Sequence, residues 1–131
     1  MQVLNVHQNY DLFMASLLVI LDLLRSKNYK NAETLITQLL NDEMDRKTSI
    51  IKKVYMFLDV YYDLLKSNNV KLFDLYTKKI EKVVKVTIIP GVDIGSVWKK
   101  LDETEQATLW SALKQMYVAS SLMISGSMIK I

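Results

Sequence analysis

From Leu12 to Leu24 the chain runs for 13 residues with one charged side chain, Asp22. Tyr10, Phe13, Leu17, Ile20, Leu21 and Leu24 recur at the spacing of one helix face, which predicts a helix over about Asn9 to Arg25. Leu12, Met14, Leu18, Val19 and Leu23 carry the apolar surface round much of the other side. A surface helix keeps a polar face, so a helix like this belongs in the middle of a bundle or beneath a partner. It does not cross a membrane, because a spanning helix needs about 20 apolar residues. Residues 117–131, broken by serines, Gly126 and Lys130, are likewise too polar to span.

The same period continues downstream. After turn residues between Ser26 and Asn31, the stripe Ala32, Leu35, Ile36, Leu39 and Leu40 predicts a second helix ending near Met44, with a polar loop over Asn41 to Lys47. A third helix is expected from Thr48 to Lys66, with Ile51, Val54, Tyr55, Leu58, Tyr61, Tyr62 and Leu65 on one face. Ile50, Phe57 and Leu64 form a second stripe at heptad spacing, which points to another neighbour. A fourth helix is expected from about Val70 to Val84. The β-branched run that follows allows a short extended segment near residues 84–90.

Pro90 and Gly91 are the one strong breaker in a chain with a single proline and three glycines. Beyond them, Asp93 is placed to cap a short helix from Ile94 to Leu101. Asp102, with Glu105 three residues on, opens a longer helix through a carboxylate form of the capping box. Leu109, Trp110, Leu113, Met116, Tyr117 and Ser120 are its expected inner face, and Ala112, Ala119, Ser120 and Ser121 are small enough for close helix approach. Gly126 is expected to end it. The fold class is therefore all-α: a compact bundle of five or six helices in one domain, 1–131, with a four-helix portion over 1–89 and a C-terminal unit over 90–131 that is too small to hold a core alone.

Composition limits the chemistry. With no cysteine, disulfides, thiolate ligands and a cysteine nucleophile are excluded. His7 is the lone histidine, too little for a zinc site, and Asp42, Glu43 and Asp45 lack the ligand spacing of a calcium loop. Gly91, Gly95 and Gly126 build no phosphate loop. Asp11 and Asp22 lie about 16 Å apart along the first helix, too far to act as a catalytic pair. Trp98 and Trp110 are expected to anchor the C-terminal unit to the bundle rather than to form a ligand platform. No enzyme and no cofactor is expected, and the start of the chain lacks the pattern of a secretory signal.

Net charge is +3, but residues 46–86 hold 10 basic side chains against 4 acidic ones. Lys52, Lys53, Lys78, Lys82 and Lys85 are candidates for a polyanion-facing surface, with Lys47 and Lys79 beside them. Arg46 is the only arginine there, which favours weak, nonspecific nucleic-acid contact over sequence reading. The candidate protein-partner interface takes Leu12, Leu18 and Val19 from the first helix and Ile50, Phe57 and Leu64 from the third. Met128, Ile129 and Ile131 join it from the tail, where they are expected to anchor in a partner.

The run Pro90-Gly91-Val92-Asp93-Ile94, then Val97-Trp98-Lys99-Lys100-Leu101-Asp102, then Leu109-Trp110 with Leu113, Met116 and Tyr117, resembles a pattern in small helical proteins of nucleocytoplasmic large DNA viruses. The resemblance covers about residues 90–118. It implies a viral origin and similarity to minor virion components that join larger capsid parts, with the host-cell cytoplasm or the virion as location. The expected function is thus a non-enzymatic structural or interaction protein, plausibly a minor capsid protein that bridges larger ones; the alternative is a nonspecific nucleic-acid-associated protein using the lysine-rich face.

Overall fold

The long apolar run becomes α1, Val6–Ser26, and its 13/17/20/24 register is almost fully buried. The helix ends because Asn28 takes a left-handed conformation, φ 60°. Tyr29 N–H then donates to Leu24 O at 2.9 Å and Asn28 N–H to Arg25 O at 3.0 Å, the paired bonds of a Schellman cap. Asparagine is one of the few residues besides glycine that tolerates this region, so a chain with few glycines still stops its helices sharply. The same device recurs at Asn68, φ 53°, where Asn69 N–H donates to Leu64 O and Asn68 N–H to Leu65 O.

The computed structural model describes residues 6–29, 32–41, 44–74, 88–89, 92 and 94–125. They form an all-α bundle: α1, then α2 Ala32–Asn41, α3 Met44–Val60, α4 Tyr62–Lys66, a 3₁₀ turn over Val70–Asp74, α5 Gly95–Trp98 and α6 Glu103–Ser125. No helix among these residues is long and apolar enough to cross a membrane. The expected extended segment near 84–90, and most of the fourth helix, fall largely outside the described residues.

The axis of the fold is the antiparallel pair α1 and α6. Ser16 Oγ meets Gln115 Oε1 at 3.1 Å, and eleven residues later Lys27 Nζ meets Glu105 Oε1 at 3.0 Å, so the two helices run in opposite directions. Ala112, Ala119 and Ser120 are buried where α6 faces the bundle, as their size requires. Helix α2 covers another side of α1, and α3 with α4 packs on α6. The first helix is therefore central, and most of its apolar circumference is covered within its own chain.

Several boundaries differ from expectation: α2 ends at Asn41 rather than near Met44, and the stretch expected to open a fourth α-helix is a 3₁₀ turn over Val70–Asp74. Met44 to Lys47 belongs to α3 and not to a loop, because polarity marks exposure rather than a break and Arg and Lys are good helix formers. The third helix is interrupted at Tyr61, φ −108° and ψ 32°. The interruption sends adjacent rings to different partners: Tyr61 packs on Phe57 at 5.0 Å between centroids and Tyr62 on Tyr117 at 5.2 Å. The short C-terminal helix spans only Gly95–Trp98 with Ile94 at its N-cap, and Asp93 lies outside the described residues.

Candidate interaction surfaces

The start of α6 is fixed by polar bonds the sequence announces. Glu105 N–H donates to Asp102 Oδ1 at 2.8 Å and Asp102 N–H to Glu105 Oε1 at 3.0 Å, the two halves of a capping box. The backbone N–H of Asp102, with Lys27 beside it, holds the Glu105 carboxyl below the usual carboxylate range. Behind this first turn, Trp98 and Trp110 close on Phe73 with centroids 5.0 and 4.9 Å away, and on each other edge-on at 5.7 Å. Phe73 and Trp110 are buried, so the tryptophans join the C-terminal unit to the bundle and offer no open ligand platform.

Two turns further along α6 a second aromatic group lies near the surface. Tyr117 stacks on Tyr55 at 5.7 Å with planes 11° apart, touches Tyr62, and donates its hydroxyl to Asp59 Oδ1 at 2.8 Å. Burial of the ring, and then the adjacent Asp59 carboxylate, push the Tyr117 phenol up to about 12. Tyr62 stays 41% exposed. Between α4 and α6, Tyr62, Leu65, Lys66, Lys114, Tyr117 and Val118 line a recess of about 240 Å³.

The outer side of α6 is unlike an ordinary solvated helix face. Its exposed residues are Glu103, Thr104, Ala107, Thr108, Ser111, Gln115, Val118, Leu122 and Ser125, and Glu103 alone is charged. Val19 of α1, 40% exposed, shares an open groove with Thr104, Thr108, Ser111 and Gln115. An uncharged strip thus runs along α6 and its seam with α1.

The predicted partner residues separate on this framework. Val19 is exposed on the strip, while Leu12 and Leu18 are half-buried against the core. Phe57 is 8% exposed and belongs to the core, which corrects its assignment to a partner face: the turn at Tyr61 lays a ring of the same chain against it. Ile50 and Leu64 are also packed against the core. Met128, Ile129 and Ile131 lie outside the described residues.

Of the lysine candidates, Lys52 is half-buried and Lys53 exposed. Consecutive helix positions point about 100° apart, so the two side chains leave α3 in different directions. Lys78, Lys79, Lys82 and Lys85 lie outside the described residues. Met56, Val60, Val118 and Leu122, exposed between 39% and 71%, escaped the periodicity argument because it follows inward stripes. The signal for two of them was present: the outward register of α6 lacks charge over six turns.

No group of His, Cys, Asp and Glu that could hold a metal ion occurs among the described residues. Comparisons of the chain with protein families, with curated proteins and with solved structures return no match.

Proposed function

We propose that this chain is a non-enzymatic structural or interaction protein that bridges larger proteins, and that it does so through the uncharged outer strip of α6 together with Val19. The observation that carries this is the absence of charge from every exposed position of α6 after Glu103. A helix face meant for water is usually dense in Lys, Glu, Arg and Asp, and one without them is suited to burial against another protein. Threonine, serine and alanine at 104, 107, 108 and 111 keep the strip low, so a partner helix or sheet can come close to the backbone. The partner surface that fits is itself largely uncharged, since a charged one would lose its hydration with nothing to pair with.

The similarity of residues 90–118 to small proteins of large DNA viruses supports a narrower form of the proposal, a minor capsid or other virion component. The test is a photo-crosslinking residue placed at Ser111 in virions of the source virus, with a second at Asp63 as control. Crosslinks from 111 to one larger coat protein, lost in a Ser111→Arg, Leu122→Glu variant whose stability moves by less than about 0.5 kcal/mol, are expected. Absence of the chain from purified particles defeats the virion assignment, and equal crosslinking from both positions defeats the strip.

A further inference from the structure

We infer that the recess between α4 and α6 receives one apolar or aromatic side chain from an acidic peptide segment of a partner protein. This rests on the interaction role proposed above but uses a different patch, with Val118 the one residue common to both.

Size comes first. Pockets for drug-sized ligands run from about 300 to 1,000 Å³, whereas a cavity of about 150 Å³ holds benzene. At about 240 Å³ the recess suits a single large side chain better than a nucleotide or cofactor. Its lining fits the same guest. Leu65, 1% exposed, supplies an apolar base, the Tyr62 and Tyr117 rings stand 5.2 Å apart at one side, and Val118 is 52% exposed at another. Such surroundings reward a ring or a branched aliphatic group by burial and by aromatic contact.

Charge then selects the flanking residues. Lys66 and Lys114 line the recess, no carboxylate does, and neither lysine makes an ion pair with a carboxylate among the described residues. Of the acids on the neighbouring helical turns, Asp59 accepts the Tyr117 hydroxyl and Asp63 is exposed on α4. Two ammonium groups with no carboxylate partner among the described residues, beside an apolar slot, complement an apolar residue with Asp or Glu on each side of it. Nucleic acid fits less well: a base needs a free ring face, while Tyr117 is already stacked on Tyr55.

The test is amide NMR of the whole chain titrated with four probes: blocked Glu-Glu-Phe-Glu-Glu, the same peptide with Ala for Phe, the same with Lys for Glu, and a short thymidine oligonucleotide. Saturable shifts confined to the surroundings of Tyr62, Lys66, Lys114 and Val118 are expected with the first probe alone. They should weaken about tenfold in Lys66→Glu, Lys114→Glu and also, in the unaltered protein, between about 50 and 300 mM salt. Val118→Arg, a substitution at an exposed site, should block the recess without unfolding the chain. Ser111→Arg should leave peptide binding intact, so failure of the strip and failure of the recess are told apart. Equal binding of the Ala or Lys peptides, shifts elsewhere on the surface, or binding of the oligonucleotide at this recess would overturn the inference.

Discussion

Two aromatic clusters sit about 10 Å apart along the same side of α6, seven residues from Trp110 to Tyr117, and they serve different ends. Phe73, Trp98 and Trp110 meet ring to ring, with Phe73 and Trp110 each 6% exposed. Tyr55, Tyr62 and Tyr117 stack as closely, but their hydroxyls keep them at the surface, and one is tied to Asp59. A wholly buried ring is held by the area it removes from water, whereas a tyrosine at the edge contributes packing on one side and leaves the other free for a guest. The first cluster holds the C-terminal unit to the bundle; the second lines a recess that combines aromatic rings with cations.

The largest effect expected from that division belongs to the inner cluster. Trp110→Ala should lower stability by about 3 to 5 kcal/mol, measured by urea denaturation, because it opens a cavity between Phe73 and Trp98 that α6 cannot fill without shifting. Tyr62→Ala should lower it by less, about 1 kcal/mol, since the side chain is 41% exposed and its loss leaves no closed cavity. Similar losses for the two variants would erase the distinction between the clusters.

The next effect is smaller and depends on pH. Tyr117→Phe removes the hydroxyl that bonds Asp59 and should cost about 1 kcal/mol near neutrality. The folded phenol titrates at about 12, above the ordinary value near 10, so the folded state holds this proton more tightly than the unfolded chain. Its contribution is therefore complete below about pH 10 and is lost as pH rises from there through about 12. Denaturation midpoints of the two proteins should differ at neutral pH and converge toward alkaline pH. A difference that stays constant across that range would show that neither burial of the ring nor the Asp59 bond holds the proton.

Much of this architecture was legible in the sequence. The inward stripes of α1 and α6 follow directly from 3.6-residue periodicity, and the Asp102 and Glu105 spacing announced the capping box that the structure contains. The break at Tyr61 was not legible, because no glycine or proline marks it and both adjacent tyrosines fit a helical stripe; only the separate destinations of their rings account for it. The surfaces were harder for the same reason. Periodicity identifies what faces inward, and Phe57 satisfied a second stripe that its own chain covers. The recess joins α4 to α6, more than 45 positions apart in sequence, and no local pattern links Lys66 to Lys114.

The last effect concerns the polar clasp just ahead of the inner cluster, and it should be the smallest because ion pairs that water still reaches are screened by water and salt. Glu105 accepts the Asp102 N–H and, through the same oxygen, meets Lys27 in the cap that follows α1, which ties the end of one axial helix to the start of the other. Both partners favour the charged carboxylate, so its folded titration lies below that of the unfolded chain. Its contribution is present above the ordinary carboxylate range and disappears as pH falls through the lower folded value. Glu105→Gln should therefore weaken the protein slightly at neutral pH, flatten the acid limb of its stability curve and reduce the salt dependence of that limb. Because Glu105 lies five residues from Trp110 and twelve from Tyr117, tryptophan emission should report the change while the alkaline titration of Tyr117 stays where it was. A variant that moves the tyrosine titration as well would mean that α6 shifts as one rigid body, and that the two clusters are coupled rather than separate.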